Sequence, residues 1–230
     1  MRLVLFDIDG TLLNSAGMGR ASMQRALGMI FGSPGNPSYR YDGKTDKQIV
    51  RDVMRMEGHS DEHIDARMDD LIELYLEGLR EGAKSGKFNV RPLDGVLEIL
   101  DALEPRDDVV LGLLTGNVEP GARIKLQAAG IDPDRFRVNA FGSDHEHRPE
   151  LPAIARRRAG ERLGLELAGE RLVVIGDTPA DIECGRSLGA KAIGVASGHY
   201  TVEQLREHNP YVVFPSLANT AAVLDAIVNA

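Results

Sequence analysis

The chain has 230 residues, 43% of them hydrophobic and 27% charged, with a net charge of -8. That is enough for one large domain or a core carrying an insertion, and the acidic balance argues against a nucleic-acid-binding surface, which would need a clustered basic face. No apolar run approaches the ~20 residues of a membrane span. A single cysteine, Cys184, excludes an internal disulfide framework and fits a reducing, cytoplasmic setting.

The first element is "LVLF" (Leu3–Phe6), a short apolar run that reads as a buried strand and not as a signal peptide. It leads into "DIDGT", where Asp7 and Asp9, two residues apart, would face the same side while Ile8 turns away. Two carboxylates held that close repel, so a cation, a shared proton or water must offset them. From Ala16 to Gly86 the apolar spacing turns helical. Ile49, Val50, Val53 and Met54 form one stripe; Ile64, Met68, Leu71, Ile72, Tyr75, Leu76 and Leu79 form another. "TDKQ" (Thr45–Gln48) has the pattern of a capping box and predicts a helix start. The residues predict a helical insertion over 16–86 in a core made of 1–15 and 87–230, with crossings near Leu13–Ala16 and Gly86–Pro92.

Beyond it, strand-like runs "VVLGLLT" (Val109–Thr115), "LVVIG" (Leu172–Gly176), "AIGVA" (Ala192–Ala196) and "YVVF" (Tyr211–Phe214) alternate with helical patterns. Those patterns lie near Gly95–Leu103, Pro120–Ala129, Pro149–Leu163, Ala180–Leu188 and Leu217–Val228. The alternation predicts an α/β fold, a parallel sheet wound on both sides. In such a sheet ligands bind beyond the carboxyl ends of the strands. Asp7 and Asp9 end the first run, Thr115, Gly116 and Asn117 end the second, and Asp177 and Asp181 follow the third. All fall on one edge.

Thr115, Gly116 and Asn117 sit where a strand becomes a helix, a place suited to an anion or simply to capping. Asp7, Asp9 and Asp177, with no histidine or cysteine beside them, favour a hard cation, and Mg²⁺ is the natural one. Phosphoryl transfer then follows. Asp7 attacks phosphorus and forms an aspartyl-phosphate; Asp9 protonates the leaving oxygen and later deprotonates water. Arg148 and Lys125 are the two alternatives for a cation that holds the phosphate and screens Asp7. His145 and His147, in "SDHEHRPE", read as a solvated turn and not a zinc site. Cys184 reads as core packing.

"DIDGTLL" (Asp7–Leu13), "LLTGN" (Leu113–Asn117), Arg148-Pro149 and "VVIGDTPADIECGRSLGAKAIGVASG" (Val173–Gly198) resemble, in order, the four motifs of the haloacid dehalogenase-like hydrolase superfamily. The likeness runs toward its phosphoglycolate phosphatase and β-phosphoglucomutase relatives, since Asp9 is the second aspartate that the dehalogenases lack. The resemblance implies a Rossmann-like core with a helical cap, Asp7 as nucleophile and Asp9 as general acid and base. It also implies Thr115 and Asn117 as phosphate binders. Mg²⁺ would lie on Asp7, Asp177 and the Asp9 carbonyl, with Asp181 in support. The third motif is usually lysine; here Arg148 stands at that position.

The function expected is a Mg²⁺-dependent phosphatase for a small phosphorylated metabolite. A phosphomutase of the β-phosphoglucomutase type is the alternative within enzymes, and a receiver-like phospho-switch the alternative outside them. "YDGKTD" (Tyr41–Asp46) is the cap loop expected to reach the site, with Lys44 placed to meet an anionic substrate group.

Overall fold

The computed structural model describes residues 1–230. Its main sheet contains β1 (Arg2–Phe6), β4 (Val109–Thr115), β5 (Val138–Phe141), β6 (Leu172–Gly176), β7 (Lys191–Val195) and β8 (Val212–Phe214). They lie in the order β5-β4-β1-β6-β7-β8, and every pairing is parallel. β1, β4 and β6 are buried almost throughout, as expected for apolar runs without alternation and with both faces covered. Helices α4 (Val96–Leu103), α5 (Glu119–Ala128), α6 (Leu151–Leu163), α7 (Pro179–Cys184), α8 (Val202–Arg206) and α9 (Thr220–Asn229) complete the layers.

The chain order on the sheet reverses at β1, with β4 on one side and β6 on the other. Phe6 pairs with Leu113 and with Ile175, so the residues two beyond these partners, Thr115 and Asp177, emerge level with Ile8. That register brings the three strand-end motifs together.

Two strands too short to stand out in the sequence, β2 (Leu13–Asn14) and β3 (Arg91–Pro92), pair antiparallel where residues 16–86 leave and rejoin the sheet-forming segments. Between them lie α1 (Met18–Phe31), α2 (Asp46–Met56) and α3 (Asp61–Ser85). These helices share an apolar cluster of their own, including Leu27, Val50, Ile64, Leu71, Tyr75 and Leu79; from outside the segment Val118 joins it as a buried member, and Phe88, Val90 and Ile124 pack against it half-buried. The two helical stripes read from the sequence are its inner faces. Gly86, at φ 68, ends α3 in a left-handed cap that a side chain would strain.

Two boundaries differ from expectation. The helix expected from Pro149 begins as a 3-10 turn over Arg148–Glu150 before α6. The one expected over Ala180–Leu188 stops at Cys184 and resumes as a 3-10 turn at Arg186. β5 was not anticipated, nor was α8.

Candidate active site

The loops after β1, β4 and β6 open into a cavity of about 870 Å³ lined by Asp7, Asp9, Thr115, Gly116, Asn117, Lys125, Arg148 and Asp177, with residues of α1 and the Arg40–Asp46 loop opposite. Gly10, at φ +86, turns the chain after Asp9, and a Cβ there would collide with the Asp177 carboxylate. Gly198 is fixed by the same neighbour. The close packing of backbone on a carboxylate is why glycine stands at both positions.

Asp7, Asp177 and Asp181 are all buried, and one carboxylate oxygen of each lies within 4.8 Å of the other two. Arg148 is wedged among them: its Nη2 is 3.0 Å from Asp7 Oδ1, is paired with Asp181 Oδ1, and donates to Leu114 O at 3.3 Å. One guanidinium against three carboxylates leaves a net negative site. Burial pushes the Asp7 carboxyl up to about 6, with Asp181 and Asp9 adding to it and Arg148 opposing. Asp177 is driven well above the carboxylate range by burial and then by Asp181 and Asp7.

Such a cluster fits a divalent oxygen-seeking ion: all donors are carboxylate oxygens, and the excess charge is what a dication would neutralise. Within it Asp181 has little left to offer a metal. Its Oδ2 takes the Thr178 N–H at 3.0 Å and the Thr178 hydroxyl at 2.7 Å, and its Oδ1 faces Arg148. Asp177 keeps only a 3.2 Å bond from the Thr11 hydroxyl.

Asp9 lies apart from this cluster. Its Oδ2 receives Lys125 Nζ at 2.6 Å and Asn117 Nδ2 at 3.0 Å. Partial burial would raise its pKa, but Lys125 and these hydrogen bonds outweigh that and lower it. Lys125 also donates to Asn117 Oδ1 at 2.6 Å, and Asn117 Nδ2 to the Thr115 hydroxyl at 2.8 Å, so one chain of bonds runs from Asp9 to the end of β4. Arg148 and Lys125, weighed as alternatives from the sequence, both enter the site and serve different acids.

The opposite wall is docked tightly. Asp46, the first residue of α2, donates its N–H to Gly116 O at 2.8 Å and accepts the Val118 N–H on Oδ2 at 2.8 Å. The Thr45 hydroxyl donates to Glu146 O at 2.7 Å while its oxygen accepts the Gln48 N–H at 3.1 Å, the helix cap expected from "TDKQ". A side chain at Gly116 would strike Lys44 O, and one at Gly43 would meet Ala180. Lys44 lines the cavity but is engaged with Asp52 at 3.4 Å and lies over the Tyr39 ring. His145 and His147 are exposed, bonded only within their own turn, and Cys184 is buried.

The sequence places Asp46 at a helix start and at the end of the loop expected to reach the site, but assigns it no partner; it is buried and bridges two segments 72 residues apart. Only the acid in a first helical turn was visible; the partner is a long-range contact. Burial raises its pKa from 3.8 to about 6, against the pull of Lys125. Below about pH 4 the group is protonated folded or unfolded. As pH rises through 6 the folded protein must ionise a buried acid, and stability falls by on the order of 1–3 kcal/mol. Asp46→Asn keeps an oxygen for the Val118 N–H and removes that charge. In urea titrations its stability relative to the parent should rise between pH 4 and pH 7; a flat or falling difference would contradict the assignment.

The model of the family "Haloacid dehalogenase-like hydrolase" matches residues 4–195. The chain belongs to the haloacid dehalogenase-like hydrolase family. It is 26% identical over 97% of its length to pyrophosphatase PpaX of Bacillus pumilus, covering 96% of that protein. It is 24% identical over 99% of its length to phosphoglycolate phosphatase of Agrobacterium fabrum, covering 94% of it. Among solved structures it resembles a hydrolase from Pseudomonas syringae, with a TM-score of 0.74 at 22% identity and 99% of each chain covered, a likeness of fold. The α/β fold expected of a haloacid dehalogenase-like hydrolase is the fold found.

Proposed function

We propose that this haloacid dehalogenase-like hydrolase is a Mg²⁺-dependent phosphatase that hydrolyses a small phosphorylated metabolite through phospho-Asp7. That it is a phosphatase rests on the family match and on full-length likeness to named phosphatases; the metal, the covalent intermediate and the roles below are the proposal. One observation carries it. A buried nucleophile candidate, Asp7, lies against a guanidinium and a second strand-end acid, while the acid two residues on faces the cavity held by a separate cation.

Arg148 steadies the Asp7 carboxylate and faces the incoming phosphoryl group, whose remaining oxygens meet the Thr115 hydroxyl, the Asn117 amide and the N–H groups of the 115–117 turn. Asp7, Asp177 and the main-chain carbonyl of Asp9 would hold Mg²⁺, with Asp181 bracing Arg148 and Thr178. When bound, the ion neutralises phosphate charge. Asp7 forms the bond to phosphorus as the ester P–O bond breaks, and the leaving oxygen takes a proton from Asp9 Oδ2. That step requires Asp9 to turn from Lys125 and to take up a proton before the ester bond breaks, since in the Lys125 contact it is held as the carboxylate. The Lys125 contact favours the carboxylate form, the form Asp9 needs as base when water attacks phospho-Asp7. Residues 16–86 act as a cap that closes over the cavity about hinges near Ser15 and Gly86 and excludes water from the first step.

Nothing in the chain favours nucleic acid or a membrane as target: no helix is long and apolar enough to cross a bilayer, and the charge is acidic. One buried thiol suits a reducing cytoplasm.

The test is phosphate release from a panel of small phosphorylated metabolites, without any bisphosphate activator. Turnover that needs Mg²⁺, is lost with chelator and returns with Mg²⁺ is expected. Absence of turnover, or turnover indifferent to chelator, would contradict the reading. Lys44→Ala should raise KM only about two- to threefold for an anionic substrate, because its charge is shared with Asp52. A change of ten times or more would move Lys44 to the centre of recognition.

A further inference from the structure

Five arginine and lysine side chains line the cavity: Arg20, Arg40, Lys44, Lys125 and Arg148. Four are matched to carboxylates. Arg40 lies 2.9 Å from Asp42, Lys44 3.4 Å from Asp52, Lys125 2.6 Å from Asp9 and Arg148 3.0 Å from Asp7. Arg20 makes no ion pair. Its Nη1 donates to Pro37 O at 3.2 Å, its Nη2 donates to Tyr39 O at 2.6 Å, and its guanidinium carbon lies 4.2 Å from the centre of the Tyr41 ring.

These contacts hold the group still without cancelling its charge. Backbone carbonyls and an aromatic face orient a guanidinium but carry no anion. Two of its five N–H donors are engaged and three remain. The position is also apt. A Cβ on the preceding residue, Gly19, would lie 3.0 Å from Lys125 Nζ, the ammonium bonded to Asp9, so α1 overhangs the acid that serves the leaving group. Met23, one turn further on, lines the same cavity.

We propose that Arg20 is the specificity-determining cation of this site and reads an anionic group carried on the alcohol side of the phosphate ester. The proposal rests on the phosphatase reading above and deepens it: the preferred substrates are small esters with a carboxylate or a second phosphate near the scissile bond. A charge-assisted hydrogen bond from a fixed guanidinium supports at least about tenfold preference over a neutral ester of equal size. The bland alternative is that Arg20 only pins residues 37–41.

The test uses unreactive phosphonates with the Mg²⁺-loaded protein and calorimetry: phosphonopropionate and propylene bisphosphonate, whose tails carry a second anionic group, and propylphosphonate, whose tail is uncharged. The parent should bind at least one of the two probes with an anionic tail about tenfold or more tightly than propylphosphonate, and the tighter of them names the group. Arg20→Met should erase that preference while leaving propylphosphonate within about twofold; Arg20→Lys, keeping the charge, should retain part of it. Equal weakening of all three probes by Arg20→Met, or a parent without preference, would overturn the proposal. Phosphate release from a panel of small phosphate esters, including esters with a carboxylate or a second phosphate, is followed in parallel. Its absence across the whole panel, with the anionic preference intact, would refute the phosphatase reading and leave the role of Arg20 standing.

Discussion

Asp7→Asn should lower kcat for every substrate by at least about 10⁴-fold in saturating Mg²⁺, because the amide cannot attack phosphorus. Loss of folding would not explain such a result. Asn matches Asp in shape, Arg148 keeps its pairing with Asp181, and the change removes one of three carboxylates crowded around a single guanidinium. Burial already pushes the Asp7 carboxyl up to about 6. Without metal the variant should therefore be at least as stable as the parent at pH 7.5. Steady-state kinetics with circular dichroism check both statements. A variant that is folded and turns over within tenfold of the parent would remove Asp7 from the chemistry.

The next largest effect is expected at Asp9. Asp9→Asn should cost about 10²–10⁴ in kcat with an alkyl phosphate, the range of general acid–base catalysis. The loss in the first step should be smaller with p-nitrophenyl phosphate, whose leaving group departs without a proton. The two half-reactions then separate. Asp9 is also the proposed base for water, so phosphoenzyme should accumulate in the variant with the aryl substrate and a burst of nitrophenol should precede slow turnover. Lys125 loses its carboxylate in this variant but keeps Asn117 Oδ1 at 2.6 Å, which limits the structural damage. Equal losses for alkyl and aryl substrates with no burst would assign Asp9 a positioning role through Lys125 instead.

What could be read from the chain follows from the range of the forces involved. β1, β4 and β6 announced themselves because strands buried on both faces are apolar runs, and the rule that ligands gather beyond their carboxyl ends then placed Asp7, Asp9, Thr115, Asn117 and Asp177 on one edge. β5 escaped because it has four residues and carries Asn139 in the middle. That side chain is not a defect of the strand: its Oδ1 accepts the Leu113 N–H at 2.9 Å. α8, at five residues, is too short for any periodicity. The cations show a different limit. Spacing put Arg148 and Lys125 near the site but could not say that one would face Asp7 and the other Asp9, since that depends on how α5 and α6 pack on the sheet. Asp46 and Arg20 were hidden for the same reason. Each is defined by what it meets across the cavity, and such partners leave no mark in local sequence.

The central claim concerns where the phosphoryl group goes, and acid-quenched mass mapping of Asp9→Asn during turnover of p-nitrophenyl phosphate tests it directly. The account predicts one added phosphoryl group, labile to hydroxylamine as an acyl phosphate is, on the peptide containing Asp7 and nowhere else. A phosphoryl group on another residue, or turnover through the burst phase with Asp7 unmodified, would contradict it.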